Sequence, residues 1–240
     1  MALNLRVDIY GDSFSCPCCK INDKDTFLDI LSEQFSIDNT SLHGVGAHWC
    51  VERFMQRTSY GNYLLFFLPD SKRLSLEYLS PDMASQSSQI YGMMTKNNMD
   101  FPDYLDDLTV EEAPKIFKDY EGYHNIGMHR TFDVMSTSFI LSKAKHYDKV
   151  LIWPSSGSGY PFRDYNYALE IPTNAYIVPK SLNQVSQREK NIQGDTPYFG
   201  KDDRSNHLSP DNHVILANQI NKFFDYYTRP DIMKFKYEVQ

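Results

Sequence analysis

The chain is predicted to form one three-layer α/β domain built on a parallel sheet. Two patterns carry that expectation. Strand-length apolar runs alternate with segments whose apolar residues recur at helical spacing, the signature of strand–helix–strand units. One run, Asn62-Tyr63-Leu64-Leu65-Phe66-Phe67-Leu68, is apolar almost throughout, as suits a strand covered by helices on both faces. Right-handed crossovers between such strands gather their C-terminal ends, and the loops that follow, along one edge. Ser13, Gly44, Asp70 and the loop from Ser155 to Gly159 all fall at ends of this kind.

The first strand is expected over residues 5–10, stopping at Gly11 with Asp12 and Ser13 in the turn. Asp23 or Asp25 then caps a helix that carries Phe27, Ile30, Leu31 and Phe35 on one face. Residues 36–42 form a second short strand, which ends at His43-Gly44-Val45-Gly46. A helix over about residues 47–57 turns Cys50, Val51 and Phe54 inward, and residues 62–68 make the third strand. Patterning weakens over residues 71–123, which hold methionines, tyrosines and the acidic cluster Asp103, Asp106, Asp107, Glu111 and Glu112. This stretch reads as a helical insertion after strand three, either a solvated acidic face or a lid that shapes a substrate site.

Helical periodicity returns with Phe132, Met135, Phe139, Ile140 and Ala144 on one face. Residues 149–153 make a fourth strand and residues 174–178 a fifth, with a polar stretch over 181–200 that is part loop and part helix. Trp153 and the Ser/Gly loop after it either line a pocket or pack as core followed by a turn. The last helix starts at Ser209-Pro210-Asp211, with proline in its first turn, and buries Leu216, Ile220, Phe223, Phe224 and Tyr227. A short tail follows Pro230. No linker or repeat divides the sequence, so residues 1–240 are expected to be a single domain with an insertion at about 71–123.

Bulk properties narrow the function. A net charge of -7 argues against a general nucleic-acid binder, which needs a basic face. No apolar run approaches the ~20 residues that cross a membrane, and the first residues lack the pattern of a secretory signal, so a cytoplasmic site is expected. Cys16, Cys18, Cys19 and Cys50 are too few for a disulfide framework. The three close thiols of Cys16-Pro17-Cys18-Cys19 invite a zinc reading, but such a site draws on a second pair elsewhere, and only Cys50 remains. Packing beneath the sheet is the plainer reading. No metal or cofactor is implied, and no Gly-x-Gly-x-x-Gly or P-loop follows the first strand to support a nucleotide-binding role.

The chemistry centres on Ser13, either a nucleophile delivered to the top of a strand or a polar turn residue. A hydroxyl needs a base to take its proton, and histidine is the usual one. Of seven histidines, His207 lies just before the last helix, where its loop can return to the edge near Ser13. His213 lies inside that helix and reads as structural, whereas His43 and His48 flank the Gly44 turn and either can face a substrate. An oxyanion needs preorganised donors, for which the Ser13 N–H and the Gly44 turn are candidates.

Gly11-Asp12-Ser13-Phe14 after the first strand and His207-Leu208-Ser209-Pro210 opening the last helix resemble the SGNH (GDSL-type) hydrolases. Asn39-Thr40-Ser41-Leu42-His43-Gly44 is similar to that family's second block. The resemblance implies a flavodoxin-like fold with five parallel strands, Ser13 as nucleophile, His207 as base and Gly44 as an oxyanion donor. Within the family the closest flavour is that of SGNH-like proteins encoded by bacteriophages, which implies host cytoplasm or a virion as the location.

Two positions depart from the family pattern. The third block normally supplies an asparagine, but the turn here is Leu68-Pro69-Asp70-Ser71, so Asp70 stands in the oxyanion position. An ionised carboxylate cannot donate to developing negative charge and repels it, and losing one such donor costs about a hundredfold in rate elsewhere. The family's acid sits three residues before the histidine, where this chain has Arg204; Asp203, one residue earlier, orients His207 only if the loop bulges. Two functions follow from the resemblance. One is a serine esterase acting on an ester of a carbohydrate or small molecule, without membrane or nucleic-acid partners. The other is a non-catalytic SGNH-like binding or structural module.

Overall fold

The structure is a computed structural model that describes residues 5–17, 26–43, 45–69, 126–155, 169–186 and 208–235. Its strands are β1 (Arg6–Gly11), β2 (Ser36–Ser41), β3 (Tyr63–Leu68), β4 (Lys149–Pro154) and β5 (Ala175–Ile177). The helices are α1 (Phe27–Ser32), α2 (Ala47–Met55), α3 (Ile126–Ser142), α4 (Leu182–Ser186) and α5 (Pro210–Tyr226), with 3-10 turns at Ala144–His146 and Ile232–Lys234. All five strands are parallel in the order β2-β1-β3-β4-β5. That is the flavodoxin-like doubly wound order, whose ligand crevice opens at the C-terminal ends of β1 and β3, where the winding reverses. The predicted fold class is therefore the observed one.

Period-two alternation in the central strands builds two cores. Val7 and Ile9 of β1, Leu65 and Phe67 of β3, and Leu151 and Trp153 of β4 face α1, α4 and α5. Tyr10, then Leu64, Phe66 and Leu68, then Val150 and Ile152 face α2 and α3. Each large apolar side chain so enclosed contributes about 1.5–3 kcal/mol. The near-continuous apolar run in β3 is explained directly, because all six of its residues are buried, three toward each layer.

Helix ends follow local chemistry, with some corrections. The cap of α1 is Thr26, not Asp23 or Asp25, which lie outside the described residues; the Asp29 carboxylate accepts from the Thr26 N–H at 2.7 Å and its hydroxyl at 2.8 Å. Ser209 caps α5 by accepting the Asn212 N–H at 3.3 Å, with Pro210 first in the helix. Tyr227, expected as a core position of that helix, instead ends it in the left-handed region at φ 54°. Its hydroxyl donates to the Ala175 carbonyl at 2.8 Å and its ring packs on Phe223, which offset the strain of that backbone.

Further differences concern which face is buried. Met135, expected inward on α3, is 63% exposed, because Thr137, Ile140 and Leu141 form the buried stripe and Met135 lies far around the helix from it. Ala144 belongs to the 3-10 turn after α3. The stretch after Pro230 is not a loose tail throughout: Phe235 is buried and meets Trp153 edge to face at 5.8 Å. Trp153 is core, its indole N–H donating to the Lys180 carbonyl at 3.0 Å, so it does not line a pocket. The predicted insertion at 71–123 lies outside the described residues. Among the described residues no helix is long and apolar enough to cross a membrane.

Candidate functional site

Ser13 stands two residues past β1, at the C-terminal edge of the sheet and at the winding reversal. Gly11 makes its turn possible. A Cβ at that position would lie 2.3 Å from Ser15 Oγ and 2.7 Å from Phe67 Cβ, so only glycine lets β1 pass β3 there. The turn then closes with the Ser15 N–H donating to the Asp12 carbonyl at 3.0 Å. Phe14 drives into the core, leaving Ser13 only half-buried between the buried Asp12 and Phe14.

Polar contacts from several elements pin this turn. Asp12 is fully buried; its Oδ1 accepts the Phe14 N–H at 3.2 Å and its Oδ2 accepts the Ser155 hydroxyl at 2.9 Å. Ser155 follows β4, and its own N–H donates to the Leu68 carbonyl at the end of β3 at 2.9 Å. On the other side, the Ser15 hydroxyl donates to Ser41 Oγ at 2.9 Å and the Asn39 amide donates to the Ser15 carbonyl at 2.7 Å. The Gly11 carbonyl accepts the Leu42 N–H at 3.2 Å and the Cys50 thiol at 3.5 Å.

Of the predicted site residues, Ser13 is described. His207, Asp203, Gly44 and Asp70 lie outside the described residues, as does Arg204. Their described neighbours reach the same edge. His43 and Val45 flank position 44 between β2 and α2, and Pro69 follows β3. Helix α5 runs antiparallel to the strands: Lys149 at the start of β4 donates to the Phe224 carbonyl near the end of α5. Leu208 and Ser209, which follow His207, therefore stand on the Ser13 side of the sheet.

The described histidines divide as their surroundings dictate. His213 is buried, accepts the Phe27 N–H through Nδ1 at 3.2 Å and stacks on the Phe27 ring, a structural role that matches the sequence reading. His48 packs edge-on to Phe132; burial lowers its pKa, opposed by Glu52, so the imidazole is held neutral. His43 is exposed beside the Gly44 turn. Cys50 is a free, buried thiol, whereas Cys16 is in a disulfide whose partner lies outside the described residues. The reading of these cysteines as packing thiols is thus corrected at Cys16.

A second polar cluster lies four residues back along β1. The fully buried Asp8 accepts from Arg57 Nη2 at 2.6 Å, the Gly61 N–H at 2.7 Å and the Tyr147 hydroxyl at 3.1 Å, and pairs with Arg6 at 3.2 Å. Arg57 also reaches Asp38 at 2.6 Å, Tyr10 at 3.1 Å and the Ser59 carbonyl at 2.6 Å. Burial raises the pKa of Asp8, partly offset by the Gly61 N–H and Arg57. For Arg57 burial acts downward, but the bonds to Asp38 and Tyr10 and the Asp8 charge win, so it stays protonated. Sequence reasoning missed this cluster, along with the roles of Asp12 and Ser155. The aspartate in a Gly-Asp-Ser turn was the available signal for Asp12; Ser155 had none.

No protein-family model matches the chain, and no curated protein matches it. Among solved structures, the chain is similar to a protein from Desulfitobacterium hafniense DCB-2 provisionally assigned to the G-D-S-L lipolytic family. The TM-score is 0.38 at 12% identity, over 90% of this chain and 97% of that one. A likeness that distant carries no argument about activity, and the fold stands on the strand order itself.

Proposed function

We propose that the protein is a serine ester hydrolase of the SGNH type. It removes an acyl group, such as acetyl, from a carbohydrate or small molecule. Ser13 Oγ attacks the ester carbonyl while His207 takes its proton; His207 then returns a proton to the leaving alkoxide, giving an acyl-Ser13 intermediate. Water, activated by the same imidazole, releases the acid and restores Ser13. Asp203 orients His207, and the Ser13 and Gly44 N–H groups hold the oxyanion; Asp70 stands at the third position, where it donates only in its protonated form.

The observation that carries this reading is the seating of Ser13 at the winding reversal, on a turn fixed by Gly11 and Asp12. The sequence block that opens α5 supports it, since α5 begins on the same side of the sheet. A fluorophosphonate probe is expected to label the wild-type protein and to leave Ser13→Ala unlabelled. Equal labelling of both would remove the proposal.

The substitutions at Asp70 and Arg204 favour one alternative, a non-catalytic module of the same fold that binds a glycan or serves in a virion. Absence of labelling in the wild type, together with labelling gained in Asp70→Asn, would select it.

A further inference from the structure

Asp12 and Ser155 stand 143 positions apart in sequence, yet meet at 2.9 Å in the buried floor of the crevice edge. Ser155 Oγ also lies 3.3 Å from the Leu68 carbonyl, but that carbonyl already accepts the Ser155 N–H at 2.9 Å. The single hydroxyl proton is therefore best spent on the nearer Asp12 Oδ2, where the acceptor is a carboxylate. The other oxygen of Asp12 holds the Phe14 N–H, and the Asp12 carbonyl holds the Ser15 N–H. One residue thus ties together both sides of Ser13 and, through Ser155, the ends of β3 and β4.

We infer that the Asp12–Ser155 bridge is a positioning device for Ser13: it fixes the turn across the winding reversal, so that Ser13 Oγ keeps one location relative to groups arriving from the other loops. The inference rests on the proposed role of Ser13 as nucleophile. Neither Asp12 nor Ser155 is assigned a chemical step. Their contribution acts through geometry, where a displacement of about 1 Å costs on the order of a hundredfold in rate. The bridge is distinct from the Ser15–Ser41 and Asn39–Ser15 bonds, which hold the far end of the turn to β2 and remain when Ser155 is altered.

The test compares wild type, Ser155→Ala and Ser155→Thr. Three quantities are read: the second-order rate of fluorophosphonate labelling, the thermal midpoint, and amide hydrogen exchange over residues 11–17. Ser155→Ala is expected to slow labelling roughly ten- to a hundredfold and to lower the thermal midpoint by a few degrees, because the buried Asp12 loses a donor. Ser155→Thr keeps the hydroxyl and should recover most of the rate. Exchange at Phe14 and Ser15 should quicken in Ser155→Ala relative to Val7 and Ile9 of the same strand. An unchanged labelling rate, or a Ser155→Thr variant as slow as Ser155→Ala, overturns the inference. If even the wild type is not labelled, the hydrolase reading fails on its own; exchange then decides, and equal turn protection in wild type and Ser155→Ala overturns the bridge.

Discussion

Strand β1 carries two fully buried aspartates four residues apart, Asp8 within it and Asp12 just past its end, and they serve different parts of the molecule. Asp8 is surrounded by two arginines, a backbone N–H and a phenol. Among the described residues, Asp12 is met by a backbone N–H and a hydroxyl. The first set compensates a buried charge with opposite charge and ties β1 to β2, to the chain after α2 and to the 3-10 turn before β4. The second lies beside the half-exposed Ser13, at the edge where ligands enter such sheets. The comparison separates what keeps the sheet together from what aims its edge.

Removing Arg57 strikes the first cluster and gives the largest expected loss. Arg57→Ala leaves Asp8 buried with Arg6, the Gly61 N–H and Tyr147 as its remaining partners. Breaking a buried pair on one side costs about 3–5 kcal/mol, and Arg6 should keep the loss toward the lower figure. Urea unfolding measures it. The double variant Asp8→Asn with Arg57→Met should lose clearly less than the sum of its parts, because the fully buried carboxylate goes together with its main partner and only the more exposed Arg6 and Asp38 lose an ion pair. If Ser13 labelling of the folded Arg57→Ala protein fell as steeply as its stability, the division between the two ends of β1 would be wrong.

Gly11→Ala comes next and acts where the two regions meet. The added Cβ would press on Phe67 Cβ at 2.7 Å and on its carbonyl at 3.3 Å, neither of which is the free end of a flexible side chain. Overpacking of this kind costs about 1–3 kcal/mol. Because the strain falls at the base of the Ser13 turn, labelling should drop beyond what the unfolded fraction accounts for. Stability loss without that extra drop would mean that the turn accommodates the methyl group independently of Ser13.

The elements were legible because their cause is local. Alternation in β1, the apolar runs in β3 and β4 and the Ser209-Pro210 start of α5 each state their environment in a few consecutive residues. The turn that carries Ser13 was legible for the same reason, as a strand followed by Gly-Asp-Ser. What failed depends on distance or on small side chains. Met135 outranks Ser136 and Thr137 in hydropathy, yet the latter two are buried because they share the face of α3 that carries Ile140 and Leu141. Asp8 and Arg57 lie 49 positions apart, and Asp12 and Ser155 143 apart, so neither pairing can be read before the register of the strands is known. A lone aspartate in an apolar strand signals a buried partner but does not say which.

The smallest effect sharpens the account of the Asp8 cluster through pH. Burial, with the Asp8 charge and hydrogen bond behind it, raises the pKa of Tyr147 strongly, and burial raises that of Tyr10, opposed by Arg57. A phenol whose folded value exceeds its unfolded one contributes stability that is fully present below about pH 10 and is lost as pH rises toward the folded value. Unfolding free energy should therefore fall above about pH 10, by up to about 1.4 kcal/mol per pH unit for each phenol kept protonated. Tyr147→Phe removes one such group. At neutral pH it forfeits the 3.1 Å bond to Asp8, about 1 kcal/mol, but its alkaline limb should be shallower than that of the wild type. Parallel limbs in urea titrations from pH 8 to 11 would show that Tyr147 is not protonated on behalf of Asp8. The cluster would then owe its integrity to Arg57, Arg6 and Gly61.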